Sequence, residues 1–171
     1  MRVANESQRS SVGTVARFSA RGAGRRTTPG AAVAIALACA PYASQAHTQN
    51  GNLGAGAAAT DYYQVTCSDD GTGVPASLSV QISDEAPAAA PLVGVQVRNG
   101  PDLLTSTDPV DGDGAASPLI HVNVRSGFIF DVLIDKTGAG GENYVLTFHC
   151  KTGPDGTGLH TGTDIVTRQN Q

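Results

Sequence analysis

The sequence predicts an all-β protein, an antiparallel β-sandwich of about seven strands closed by one disulfide. Three observations predict it. Beyond residue 61, apolar and polar residues alternate with a period of two, the pattern of half-buried strands. Turn-forming clusters rich in Gly, Asp, Asn and Pro separate the runs. Two cysteines, Cys67 and Cys150, follow an apolar leader that holds the third, Cys39.

The strands follow in order. Residues 62–67 put Tyr63, Val65 and Cys67 on one face. Residues 76–83 turn Ala76, Leu78, Val80 and Ile82 inward, and Ser77, Ser79, Gln81 and Ser83 outward. Residues 92–98 bury Val93, Val95 and Val97, and 103–107 make a short edge strand. Residues 119–125 place Ile120, Val122 and Val124 inside, with His121, Asn123 and Arg125 outside. Phe128, Phe130, Val132 and Ile134 share a face in the next run, and residues 144–150 bury Tyr144, Leu146, Phe148 and Cys150. One buried face per strand requires two sheets packed face to face. No window reads as a helix, because the Ala-rich stretches 55–59 and 86–90 have Gly or Pro at their edges.

The domain layout follows. Residues 1–46 are a leader, with a secretory signal peptide over about 25–46: Arg25-Arg26, an apolar run over 31–40, and the small-residue exit Ser44-Gln45-Ala46. That run is shorter than the roughly 20 residues a membrane helix needs. Cleavage after Ala46 makes His47 the first residue. Arg25-Arg26 also suits a twin-arginine signal, and Leu37-Ala38-Cys39 resembles a lipoprotein box with its leucine one place too close to the cysteine. Residues 47–58 read as a flexible lead-in, 59–150 as the sandwich, and 151–171 as a Gly/Thr-rich tail with one candidate strand at 164–168. The expected location is secreted or periplasmic, with lipidation of Cys39 as the alternative and no membrane span after signal removal.

From residue 47 onward five basic residues face fourteen acidic ones, a net charge of −9. Such a surface repels phosphate backbones, so nucleic acid is excluded as a partner. An exported protein or a glycan suits the polar strand faces better. In an oxidising compartment Cys67 and Cys150 pair, closing an 83-residue separation that stabilises by roughly 4–5 kcal/mol on the chain-entropy view. Both sulfurs point inward, so their strands are either parallel neighbours or face each other across the sandwich. Free thiols or a metal pair are the rival reading.

Three segments carry a family resemblance. Ala59-Thr-Asp61-Tyr-Tyr63-Gln-Val65, Ser126-Gly127-Phe128-Ile-Phe130-Asp-Val132 and Gly141-Glu-Asn-Tyr144-Val-Leu146 together resemble the bacterial pre-peptidase C-terminal domain over about residues 50–150. The resemblance implies a small non-catalytic β-sandwich of the kind attached to exported enzymes, involved in substrate binding or secretion, with calcium bound in some members. Here the domain is expected to stand alone, and its two cysteines lie outside that family's general pattern.

Two residue sets are candidate metal ligands. Asp108, Asp111 and Asp113 place three carboxylates in a Gly-containing loop, oxygen ligands of the kind Ca²⁺ takes, without the closing glutamate of a full calcium loop. The same residues make an ordinary polar turn. His47, once amino-terminal, offers an amine and an imidazole to Cu²⁺, with His121 or His149 as further nitrogens. Four unrelated surface histidines are the plainer reading. Neither a nucleophile elbow nor a phosphate loop occurs, so no catalytic residue is assigned. The expectation is an exported, non-catalytic binding or structural domain. The alternative is a periplasmic metal-binding protein using copper through His47 or calcium through residues 108–113.

Overall fold

A computed structural model of the chain describes residues 47–87 and 91–171. The expected signal peptide, its exit at Ala46 and the variants at Arg25-Arg26 and Cys39 lie outside the described residues.

Among the described residues nine strands form: β1 (His47–Leu53), β2 (Asp61–Ser68), β3 (Ser77–Glu85), β4 (Val93–Asn99), β5 (Asp102–Thr107), β6 (Ile120–Asn123), β7 (Ile129–Lys136), β8 (Glu142–Lys151) and β9 (Gly162–Gln169). They build two antiparallel sheets, ordered β1-β8-β3-β6 and β5-β4-β7-β2-β9. The chain changes sheet at every step except β4–β5, a hairpin whose Gly100 takes the left-handed conformation at φ 60°. Buried Asn99 at its base accepts from the amides of Arg125 and Ser126 (2.5 and 2.7 Å) and donates to the carbonyls of Gly127 and Ile129 (3.0 and 2.9 Å).

The period-two reading holds for the central strands. Val65, Leu78, Val80, Ile82, Val132, Leu146 and Phe148 are among the side chains that fill the space between the sheets. Cys67 on β2 and Cys150 on β8 join across the sandwich, with Cα atoms 5.6 Å apart. Facing strands, rather than parallel neighbours, is therefore the arrangement present.

Four differences from the sequence reading have physical causes. Residues 47–53, expected as a flexible lead-in, are edge strand β1, paired along its length with β8. In the expected tail, the candidate strand at 164–168 is present and longer, as β9, paired with β2 over residues 162–169. Both strands are held by backbone bonds and bury little, so alternation does not mark them. Phe128 stands 42% exposed ahead of β7 rather than sharing its inward face. Ser77 and Ser79 face outward yet are buried, because the segment after β8, with a 3-10 turn at Pro154–Gly156, folds back over them. Ser77 Oγ donates to the Gly153 carbonyl at 2.7 Å.

The two ends of the sandwich differ. The disulfide closes one end. At the other, the inward-facing phase of four strands ends in an ionisable residue: Asp61 on β2, Asp84 on β3, Lys136 on β7 and Glu142 on β8.

Candidate metal centre

Asp84 continues the inward series Leu78, Val80, Ile82, and its side chain is fully buried. One carboxylate oxygen accepts from the Val93 amide at 2.8 Å, and the other, Oδ1, has no partner. Glu142 opens the inward series Tyr144, Leu146, Phe148; it is 2% exposed, and its Oε2 is likewise unpartnered. Asp111 joins them from the loop between β5 and β6 with both oxygens buried and unpartnered. The Gly112 amide, at φ 65°, donates to the Asp84 carbonyl at 3.1 Å and fixes that loop against β3. One oxygen from each of Asp84, Asp111 and Glu142 lies within 4.8 Å of the others.

Three carboxylates at that spacing repel by about 3–4 kcal/mol per pair at an effective dielectric constant of about 20. Burial raises the Asp84 carboxyl to about 6, with the Val93 amide opposing and the charges of Asp111, Glu142 and Asp108 adding to the rise. Burial also raises Glu142, helped by Asp111 and opposed by Lys136. Lys136 offsets part of this charge from a distance, but its ammonium group donates to the carbonyls of Gly54 and Gly140. Oxygens around one Ca²⁺ at about 2.3–2.6 Å lie within about 5 Å of each other, so the cluster has the dimensions of a cation site.

Of the acidic loop read from sequence, Asp111 alone enters this cluster. Asp108 is buried but structural, accepting from the amides of Asp84 (2.8 Å) and Val110 (3.2 Å). Asp113 is exposed and accepts from the Ala115 amide at 2.7 Å. Asp84 and Glu142 were not in the sequence reading. Their signal was an acid on the apolar phase of a strand, where a carboxylate is costly without a partner.

A third inward acid, Asp61, is satisfied. It accepts from the Tyr144 hydroxyl at 2.5 Å and the Gln171 amide at 2.8 Å, and the hydroxyls of Tyr144 and Tyr63 are 2.7 Å apart.

The histidines divide. His47 on β1 and His149 on β8 have ring centroids 6.4 Å apart, and His160, just before β9, stands 4.6 Å from His149. Burial, then the charges of His160, Lys151 and His47, lowers the His149 imidazole to about 4; burial also lowers His160, with Lys151 and His47 adding. His121 is elsewhere. Its Nδ1 is 2.8 Å from Ser79 Oγ, and Ser79 of β3 stands between it and His149 in the ladder. Two strand spacings separate the two histidines, roughly 10 Å.

On the outer face of the five-stranded sheet, an open groove of about 420 Å³ is lined by Tyr62, Gln96, Arg98, Asp131, Leu133 and Gln169, among others. Tyr62 is oriented there by its hydroxyl, which donates to Asp131 at 2.6 Å. Among the described residues no helix is long and apolar enough to cross a membrane. No protein-family model matches the chain, and no curated protein is significantly similar to it.

Proposed function

We propose that this chain is a non-catalytic β-sandwich domain that works outside the cytoplasm, holds a calcium ion in its carboxylate cluster, and binds a glycan on its outer sheet face. The orphaned oxygens of Asp84, Asp111 and Glu142 carry the reading, because three buried carboxylates with four unpartnered oxygens among them are relieved by a cation. Calcium fits better than magnesium, which prefers to keep its waters and takes only one or two carboxylates. With Asp84 and Glu142 sealed at 0% and 2% exposure, the ion has a structural place rather than a substrate-facing one. The inter-sheet disulfide supports an oxidising location. The groove beside Tyr62 supports the glycan partner, since it sets an aromatic ring among amide, carboxylate and guanidinium groups.

Thermal melting of the purified protein with calcium and with a chelator tests the calcium reading. Calcium is expected to raise the midpoint in a concentration-dependent way, as any ligand of the folded state does. Identical midpoints would remove it. Affinity electrophoresis through polysaccharide gels tests the partner, with Tyr62→Ala expected to lose whatever retardation the native protein shows.

A further inference from the structure

We infer that His47, His149 and His160 form a second metal site, specific for a borderline transition-metal ion of tetragonal preference, Cu²⁺, and independent of the carboxylate cluster. The topology assembles it. His149 lies near the end of β8, and His160 follows the tight return that leads into β9. That return is closed by Thr152 amide to Leu159 carbonyl (3.0 Å), Gly153 amide to Thr157 carbonyl (3.0 Å) and Leu159 amide to Thr152 hydroxyl (2.9 Å). A bridge between Lys151 and His160 and a 2.7 Å bond from the Thr72 hydroxyl to the His160 carbonyl anchor its far side. His47 arrives from the paired edge strand, in register with Phe148 next to His149.

The spacing suits ligation. At metal–nitrogen distances of about 2.0–2.1 Å, imidazole centroids lie about 3.2 Å from the metal, so two ligating rings stand about 4.5–6.4 Å apart for angles from 90° to 180°. The observed 4.6 and 6.4 Å correspond to angles near 90° and 180°, the cis and trans positions of a tetragonal Cu²⁺ site rather than of tetrahedral zinc. His149 Nδ1 is buried with no hydrogen-bond partner, so this half-buried ring has an acceptor nitrogen unclaimed by protein. His47 is exposed beside Phe148 and His149, and its ring has to turn toward the other two to complete the ligand set. All-imidazole sets select copper, nickel and zinc over calcium and magnesium. Lys151 is the neighbouring cation and the cost of the site, which sets its affinity below that of a site without one.

The test is calorimetric titration of the calcium-loaded protein with Cu²⁺, with electron paramagnetic resonance of the one-equivalent complex. We expect one tight site, imidazole-nitrogen hyperfine splitting, and loss of affinity in His149→Ala and His160→Ala. Removal of mere outer-sphere partners costs about 10–100-fold, so each ligand removal costs at least about tenfold. His121→Ala and Asp84→Asn are expected to bind as the native protein does, which separates this site from the calcium reading. His160→Ala, on the return after β8, keeps the test open should His149→Ala fold poorly by circular dichroism. Absence of stoichiometric binding overturns the assignment, as does an equal loss in His121→Ala or no loss in His160→Ala. Binding that appears only when His47 is the first residue also overturns it, because the α-amine is then the deciding ligand.

Discussion

Asp84 and Glu142 meet at one buried point from adjacent strands: Asp84 faces Tyr144 across the β3–β8 ladder, and Glu142 lies two residues before that tyrosine. Both occupy positions where their strands otherwise place Ile82 and Leu146. Each therefore substitutes a charge for an aliphatic side chain in the core, and Asp111 adds a third.

That relationship makes Asp84→Asn informative. Asparagine still accepts from the Val93 amide but removes one charge from the cluster. Without calcium the variant is expected to melt higher than the native protein, by about 1–3 kcal/mol of stability, since the relieved repulsion exceeds the cost of the isosteric change. Calcium should then no longer raise its midpoint. Differential scanning calorimetry with and without chelator checks both parts; a variant that melts lower and still responds to calcium contradicts the cation reading.

The cross-sheet bond is the second test. Replacing Cys67 and Cys150 together with alanine is expected to cost roughly 4–5 kcal/mol, or somewhat less where the unfolded chain retains structure. Urea unfolding of the oxidised protein and the double variant measures it. Equal midpoints would show that the bridge contributes nothing.

Alkaline stability is the third. Tyr62 is held above the ordinary phenol value by its hydrogen bond to Asp131, Tyr63 by burial, and Tyr144 by burial together with Asp61 and Tyr63. Above about pH 10 the unfolded chain releases phenolic protons that the folded state keeps. Stability is therefore complete below that pH and falls as pH rises further. In protein beginning at His47, these three are all the tyrosines, and tryptophan is absent from the chain. Ultraviolet difference absorbance should show the tyrosinates of buried Tyr63 and Tyr144 appearing only together with loss of β-structure, whereas half-exposed Tyr62 can ionise before it. Ionisation of more than one tyrosine in folded protein would contradict the buried tyrosine pair.

A fourth concerns Gly51. It pairs with Tyr144 across β1 and β8, and a Cβ there would overlap the tyrosine ring. Gly51→Ala is expected to displace Tyr144 from Asp61 and to cost about 1–3 kcal/mol. Thermal melting and the alkaline titration above should both shift; a native-like result in each would mean that the ring moves aside freely.

Much of this fold was legible in the sequence. Strands such as β3 and β8 carry alternation because one face is buried, and the inward phase of Cys67 and Cys150 marked a bridge between them. Strand β1 was not legible and β9 only in part, at residues 164–168, because an edge strand recruited by backbone bonds leaves little apolar trace. The acidic loop was visible as a cluster of aspartates, yet proximity along the chain misled. Asp108 spends its oxygens on the amides of Asp84 and Val110, and Asp113 on that of Ala115, while the partners of Asp111 sit 27 and 31 residues away on strands. His160 was left out of the candidate ligands for a related reason, since only the return after β8 brings it to His149.

The alternation of the chain between sheets has a consequence for how the molecule forms. Apart from the β4–β5 hairpin, no strand pairs with its immediate successor, so each ladder waits on segments made much earlier or later. Such non-local wiring slows assembly and couples it tightly. Severed between β3 and β4, this polypeptide yields two pieces that each hold strands of both layers, with the β1–β8, β3–β8, β3–β6, β2–β7 and β2–β9 ladders all running between them, so neither piece keeps a complete sheet.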